Sequence, residues 1–184
     1  MLCLAAAAAA APLDNDSIKT AVAAWLSDSA AAEVTYGHIT SWDTSQVTDM
    51  SSLFCAHHSL SSCNTAALSF NEDIGTWDTS GVTSMYAMFG SNEGFNRDLS
   101  DWAVDSVTDM SYMFSYATSF NQDLGWCVDD GVDLDYAFSS TLCESTSCGV
   151  TQGGCASWFG SDAAPKTQFT SFGALLGAAA LLML

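Results

Sequence analysis

Between residues 42 and 122 the apolar positions recur in blocks set in small and polar residues. Trp42, Val47, Met50 and Phe54 form one block; Trp77, Val82, Met85 and Phe89 form a second; Trp102, Val107, Met110 and Phe114 form a third. Between the blocks, "FNEDI", "FNRDL" and "FNQDL" place Phe70, Phe95 and Phe120 at intervals of 25 residues. Val47, Val82, Val107 and Val132 are spaced by 35, 25 and 25, so ten extra residues lie between Phe54 and Phe70. Self-similarity of this period marks repeats that bury their apolar faces only by stacking on one another.

Within a block, Val82, Met85, Met88 and Phe89 fall at i, i+3, i+6 and i+7, which predicts a short helix with Thr83 near its N-cap. Ile74 and Trp77, or Leu99 and Trp102, predict an extended piece before it. Upstream, "DNDSIKTAVAAWLSD" places Ile18, Val22, Trp25 and Leu26 on one helical face behind Asp and Asn caps. The fourth repeat is degraded: Cys127 takes the tryptophan position, Asp135 the methionine position, and Phe138 arrives one residue short. The expected fold is an α/β repeat, a leucine-rich-repeat-like solenoid of short parallel strands and short helices. An N-terminal capping helix and a disulfide-rich C-terminal cap would close it. The expected divisions are a signal peptide at 1–11, the capping helix and lead-in at 12–38, and about four repeats at 39–140 with the insertion at 55–67. A cysteine-rich cap at 141–160 and a terminal signal or anchor at 161–184 complete them.

Charge narrows the function. Twenty-one acidic residues face three basic ones, Lys19, Arg97 and Lys166, for a net charge of -18. Nucleic acid is thereby excluded as a partner, because phosphates demand basic patches, whereas cations are attracted.

Cysteine usage points to an oxidising compartment. Cys3 lies in "MLCLAAAAAAAP", an apolar run resembling a signal peptide but without a basic residue after the amino terminus. Its removal leaves six cysteines, Cys55, Cys63, Cys127, Cys143, Cys148 and Cys155, an even number consistent with disulfides. Cys55, His57, His58 and Cys63 have the types of a zinc set, but the spacing is not that of a standard finger and a Cys55–Cys63 disulfide is favoured. Asn15-Asp16-Ser17 is a glycosylation sequon. At the other end, small residues around Ser161, a spacer and an apolar tail from Gly173 to Leu184 follow the order of a GPI-attachment signal. The alternative is a short tail anchor, although twelve residues span only about 18 Å as a helix against a hydrocarbon core of about 30 Å.

The run W-D-T-S-x-V-T-x-M followed by F-N-x-D-[IL] resembles the BspA-like leucine-rich-repeat surface proteins, over about residues 16 to 140. That resemblance implies an extracellular module for adhesion or recognition, with no shared catalytic residues. The chain is therefore expected to be no enzyme and to need no cofactor. It would bind an extracellular protein or glycan, either secreted or held on the outer side of the plasma membrane by its tail or a lipid. Stacked Asn71, Asn96 and Asn121, and stacked Asp73, Asp98 and Asp123, need compensation. Turn capping is favoured over weak calcium binding. The alternative function is an acidic cation- or mineral-binding wall protein. An ice-binding threonine row fails, because Thr44 and Thr79 are followed by Val104.

Overall fold

The computed structural model describes residues 11–155. Helix α1 (Asn15–Ser27) begins in a capping box: the Asp14 carboxylate accepts the Ser17 amide at 2.8 Å, and the Asp14 amide donates to Ser17 Oγ at 2.8 Å. Ile18, Ala21, Val22 and Trp25 form its buried face. Asp28 then serves two helices. Its amide closes α1 on the Ala24 carbonyl, and its carboxylate caps α2 (Ser29–Tyr36) at Ala31. Gly37, at φ 76°, ends α2 in the left-handed region that glycine enters without a Cβ clash.

Past the helices the repeats stack, but they do not form a leucine-rich-repeat-like solenoid of strands and helices. Among the described residues the only strands are β1 (Cys127–Val128) and β2 (Thr151–Gln152), a two-residue parallel pair. The other contacts of strand type are single bridges linking Asp49, Ser84, Asp109 and Asp133. No repeat carries the expected helix. Alternate amides reach outward instead: Met85, Ala87, Phe89 and Ser91 donate to the carbonyls of Asp109, Ser111, Met113 and Ser115 in the next repeat, at 2.7–2.9 Å. The amides between them fold back, Met88 onto Met85 and Gly90 onto Ala87. Each repeat is thus a chain of tight turns, kept from winding into a helix by left-handed residues at matching places, Ser52, Ala87, Tyr112 and Tyr136 (φ 49–59°). The expected extended piece is likewise a turn, with the Trp77 amide on the Ile74 carbonyl and Trp102 on Leu99.

The apolar positions line the inside of this stack. Phe54, Phe89, Phe114 and Phe138 form one ladder with ring centroids 5.2–6.0 Å apart. Phe70, Phe95 and Phe120 form a second at 6.1–6.2 Å. Close pairs at 3.9–4.1 Å join the ladders within each of the first three repeats. Burying each ring contributes roughly 1.5–3 kcal/mol, and each stacked pair adds about 0.5–1.5 kcal/mol. Val47, Met50, Val82, Met85, Val107 and Met110 complete the interior.

Tryptophan marks each repeat because its indole N–H has a fixed partner there. Trp42, Trp77, Trp102 and Trp126 are all buried, and they donate to the carbonyls of Gly37, Ile39, Ile74 and Leu99 respectively. Trp126 therefore fills the fourth slot, which corrects the assignment of Cys127 to it. Gly125, at φ 59°, shortens the Leu124–Trp126 turn by one residue and brings the indole into place. Leu134, half-buried against the core, takes the methionine position expected for Asp135, because Met110 donates to the Asp133 carbonyl.

The insertion is closed by Cys55–Cys63, and the C-terminal segment by Cys127–Cys155 and Cys143–Cys148. That segment lies over the last repeat: Leu142 donates to the Phe120 carbonyl, Leu124 to Cys148, and β2 pairs with β1. All but the last residue of the expected signal peptide at 1–11, residues 156–160 of the expected cap, Ser161 and the tail at 161–184 lie outside the described residues. Among the described residues no helix is long and apolar enough to cross a membrane.

Candidate functional site

The turn geometry that replaces helix and strand also decides which side chains are offered to solvent. Left-handed Tyr112 and Tyr136 are 41% and 61% exposed, and Tyr86, one position earlier in its own repeat, is 37% exposed. The Tyr86 and Tyr112 rings meet edge to face at 6.1 Å, and the Tyr112 and Tyr136 rings stack at 5.1 Å. Their backbones are held by the repeat junctions: Ser52 donates to the Tyr86 carbonyl, and Tyr112 donates to Asp135. Tyr116 and Leu142, both more than half exposed, add apolar surface in the last two repeats. The result is an aromatic row on a rigid support, with Asp109, Asp133 and Asp135 close by in the same turns. Spacing analysis of the buried positions passes over these tyrosines, because they fall between the Val, Met and Phe columns. The usable signal is a Tyr within the turn of each of three successive repeats.

A second feature is a cleft of about 570 Å³ lined by Asp73, Thr76, Trp77, Asp78, Asp98 and Asp101. Three of its carboxylates are engaged in turns. Asp73 accepts the Gly75 amide, Asp78 the Ser80 amide and hydroxyl, and Asp98 the Ser100 amide. The Ser100 amide and hydroxyl hold the Asp98 carboxyl below its usual range, and the Ser45 hydroxyl and amide do the same for Asp43. Among the described residues no three His, Cys, Asp or Glu side chains are grouped to hold a metal ion.

The asparagine column acts between repeats. Asn71 Oδ1 accepts the Asn96 amide and Asn96 Oδ1 the Asn121 amide, each at 2.9 Å. Arg97 Nε donates to the Asn71 carbonyl at 2.7 Å. Asn15, the residue of the sequon, is the first residue of α1. Its Oδ1 accepts the Thr48 and Asp49 amides, and its Nδ2 donates to Thr48 Oγ1. His57 and His58 stack on each other at 5.1 Å beside the Cys55–Cys63 disulfide, whose sulfurs are bonded to each other and not free for zinc. His38 caps the turn at Ile39–Ser41 and packs against the edge of Trp25.

No curated protein and no solved structure matches this chain. One family model does, over residues 24–147, from within α1 to the turn at Glu144–Gly149, and so spans every repeat. The chain belongs to the family described as Mycoplasma protein of unknown function, DUF285.

Proposed function

We propose that the protein is a non-catalytic recognition module, secreted or held on the extracellular side of the plasma membrane, that binds a protein or glycan through its tyrosine row. The observation that carries this reading is the alignment of Tyr86, Tyr112 and Tyr136 on backbone fixed by the repeat junctions. Exposed aromatic rings on a rigid frame lose little conformational entropy on binding, which is why Tyr is enriched at interfaces. Three disulfides in the described residues favour an oxidising environment. In this reading a GPI signal at Ser161 or a tail anchor would supply attachment.

Adhesion of protein-coated beads to intact cells tests it. The paired substitution Tyr86→Ala and Tyr112→Ala should reduce bead retention at least tenfold while leaving the melting temperature within a few degrees. Retention unchanged by that pair would overturn the reading.

A further inference from the structure

In each repeat a set of alternate amides donates forward to the next repeat, and among the described residues no further repeat follows the fourth to receive them. At each earlier junction four alternate amides donate onward: Met50, Ser52, Phe54 and Ala56 to the second repeat, Met85, Ala87, Phe89 and Ser91 to the third, and Met110, Tyr112, Phe114 and Tyr116 to the fourth. The matching amides of the fourth repeat are Leu134, Tyr136, Phe138 and Ser140. Ser140 donates to Glu144 Oε2 at 2.9 Å. Among the described residues Leu134, Tyr136 and Phe138 donate to nothing, and the C-terminal segment covers Phe120, Leu124 and Val128 instead. The carbonyls of Leu134, Tyr136 and Phe138 are already taken by the amides of Ala137, Ser139 and Thr141. The edge is therefore a row of donors without acceptors, flanked by exposed Tyr136 and Leu142.

We propose that this edge receives an extended, basic segment of a partner protein, whose alternate carbonyls accept the Leu134, Tyr136 and Phe138 amides. The acceptors used at the preceding junction are Asp133, Asp135, Ala137 and Ser139, alternate residues of one segment, so a single peptide with that spacing supplies the same set. A second copy does not fit. Two such edges face to face oppose donors with donors, and at the other end of the stack α1 lies against the first repeat, with Lys19, Val22 and Leu26 beside Ser51 and Leu53 and Lys19 paired to the Asp49 carboxylate. Charge sets the partner's sign: exposed Asp133 and Asp135 lie in the edge itself, on a chain of net charge -18. The proposal rests on the recognition reading and names its partner class.

Amide exchange on the full chain, followed by NMR, tests it with an octapeptide of alternating lysine and valine as the probe. In the free protein the Leu134, Tyr136 and Phe138 amides should exchange fast, and saturating probe should slow all three at least tenfold. Replacing lysine by glutamate in the probe, or Asp135→Lys in the protein, should weaken binding at least tenfold. Slow exchange in the free chain would mean that the chain covers its own edge, and would overturn the proposal. Absence of binding, binding that leaves the three amides unchanged, or equal affinity for the glutamate peptide would also overturn it. Bead adhesion that still depends on Tyr86 and Tyr112 would then leave the recognition reading standing without this partner.

Discussion

Asn92 stands in a column of small residues, between two alanines. Ala67 and Ala117, 25 residues to either side, are fully buried, and so is Asn92. Its backbone amide closes the same kind of turn on Phe89 that Ala117 closes on Phe114. Its side-chain Nδ2 and Oδ1 make no hydrogen bond. A buried amide left unsatisfied costs about 1–3 kcal/mol, while the column already accepts a methyl group at this depth. Asn92→Ala should therefore leave the melting temperature unchanged or raise it. Chemical denaturation showing a loss greater than about 1 kcal/mol would mean that the amide has a partner in solution. The column of small buried residues is readable in the sequence once the 25-residue register is fixed. A rigid 25-residue register passes over Trp126, because the turn after Leu124, with Gly125 at φ 59°, is one residue shorter and moves the tryptophan into its slot.

Helix α1 was legible because its caps and its apolar face speak the same language: Asp14 and Ser17 at one end, and Ile18, Val22 and Trp25 along one side. The repeat elements were not legible, because a 3-and-4 spacing of Val, Met and Phe fits a helix and a run of i to i+3 turns equally well. What separates the two is backbone that no periodicity shows, the left-handed residues at Ser52, Ala87 and Tyr112. Asn15, the residue of the sequon, has a side chain that does for the first repeat what a preceding repeat would do. Thr83 and Thr108 donate their amides to the carbonyls of Thr48 and Thr83, and Thr48 donates to Asn15 Oδ1. Asn15→Ala leaves the Thr48 and Asp49 amides without that acceptor and should cost about 1–2 kcal/mol. Asp16→Ala, one residue along, should change stability by no more than about 0.5 kcal/mol. Equal losses from the two, measured by urea denaturation, would sink this account of how α1 closes the stack.

At the scale of the molecule the acidic charge has two opposed effects, and pH separates them. Many aspartates cap turns, and four have carboxyls held below the usual range: Asp14 by the Ser17 hydroxyl and amide, Asp43 by the Ser45 hydroxyl and amide, and Asp98 by the Ser100 amide and hydroxyl. At Asp49 partial burial acts the other way, but the Ser51 contacts and the Lys19 ammonium at 3.1 Å outweigh it. A carboxyl depressed in the folded state contributes stability that is fully present above its unfolded pKa, about 3.9. That contribution is lost as pH falls through the lower folded value. Against this, a net charge of -18 at pH 7 makes the folded chain repel itself, and protonation of unpaired carboxyls or added salt relieves the repulsion. The melting temperature at low ionic strength should therefore rise from pH 7 to about 4.5 and turn down below about pH 4 as the caps protonate. Raising the salt at pH 7 should increase it, with the gain shrinking near pH 4.5. A steady decline from pH 7 to 4.5, or a fall on adding salt at pH 7, would show that the capped carboxylates hold the stack together and that the charge excess does not oppose it.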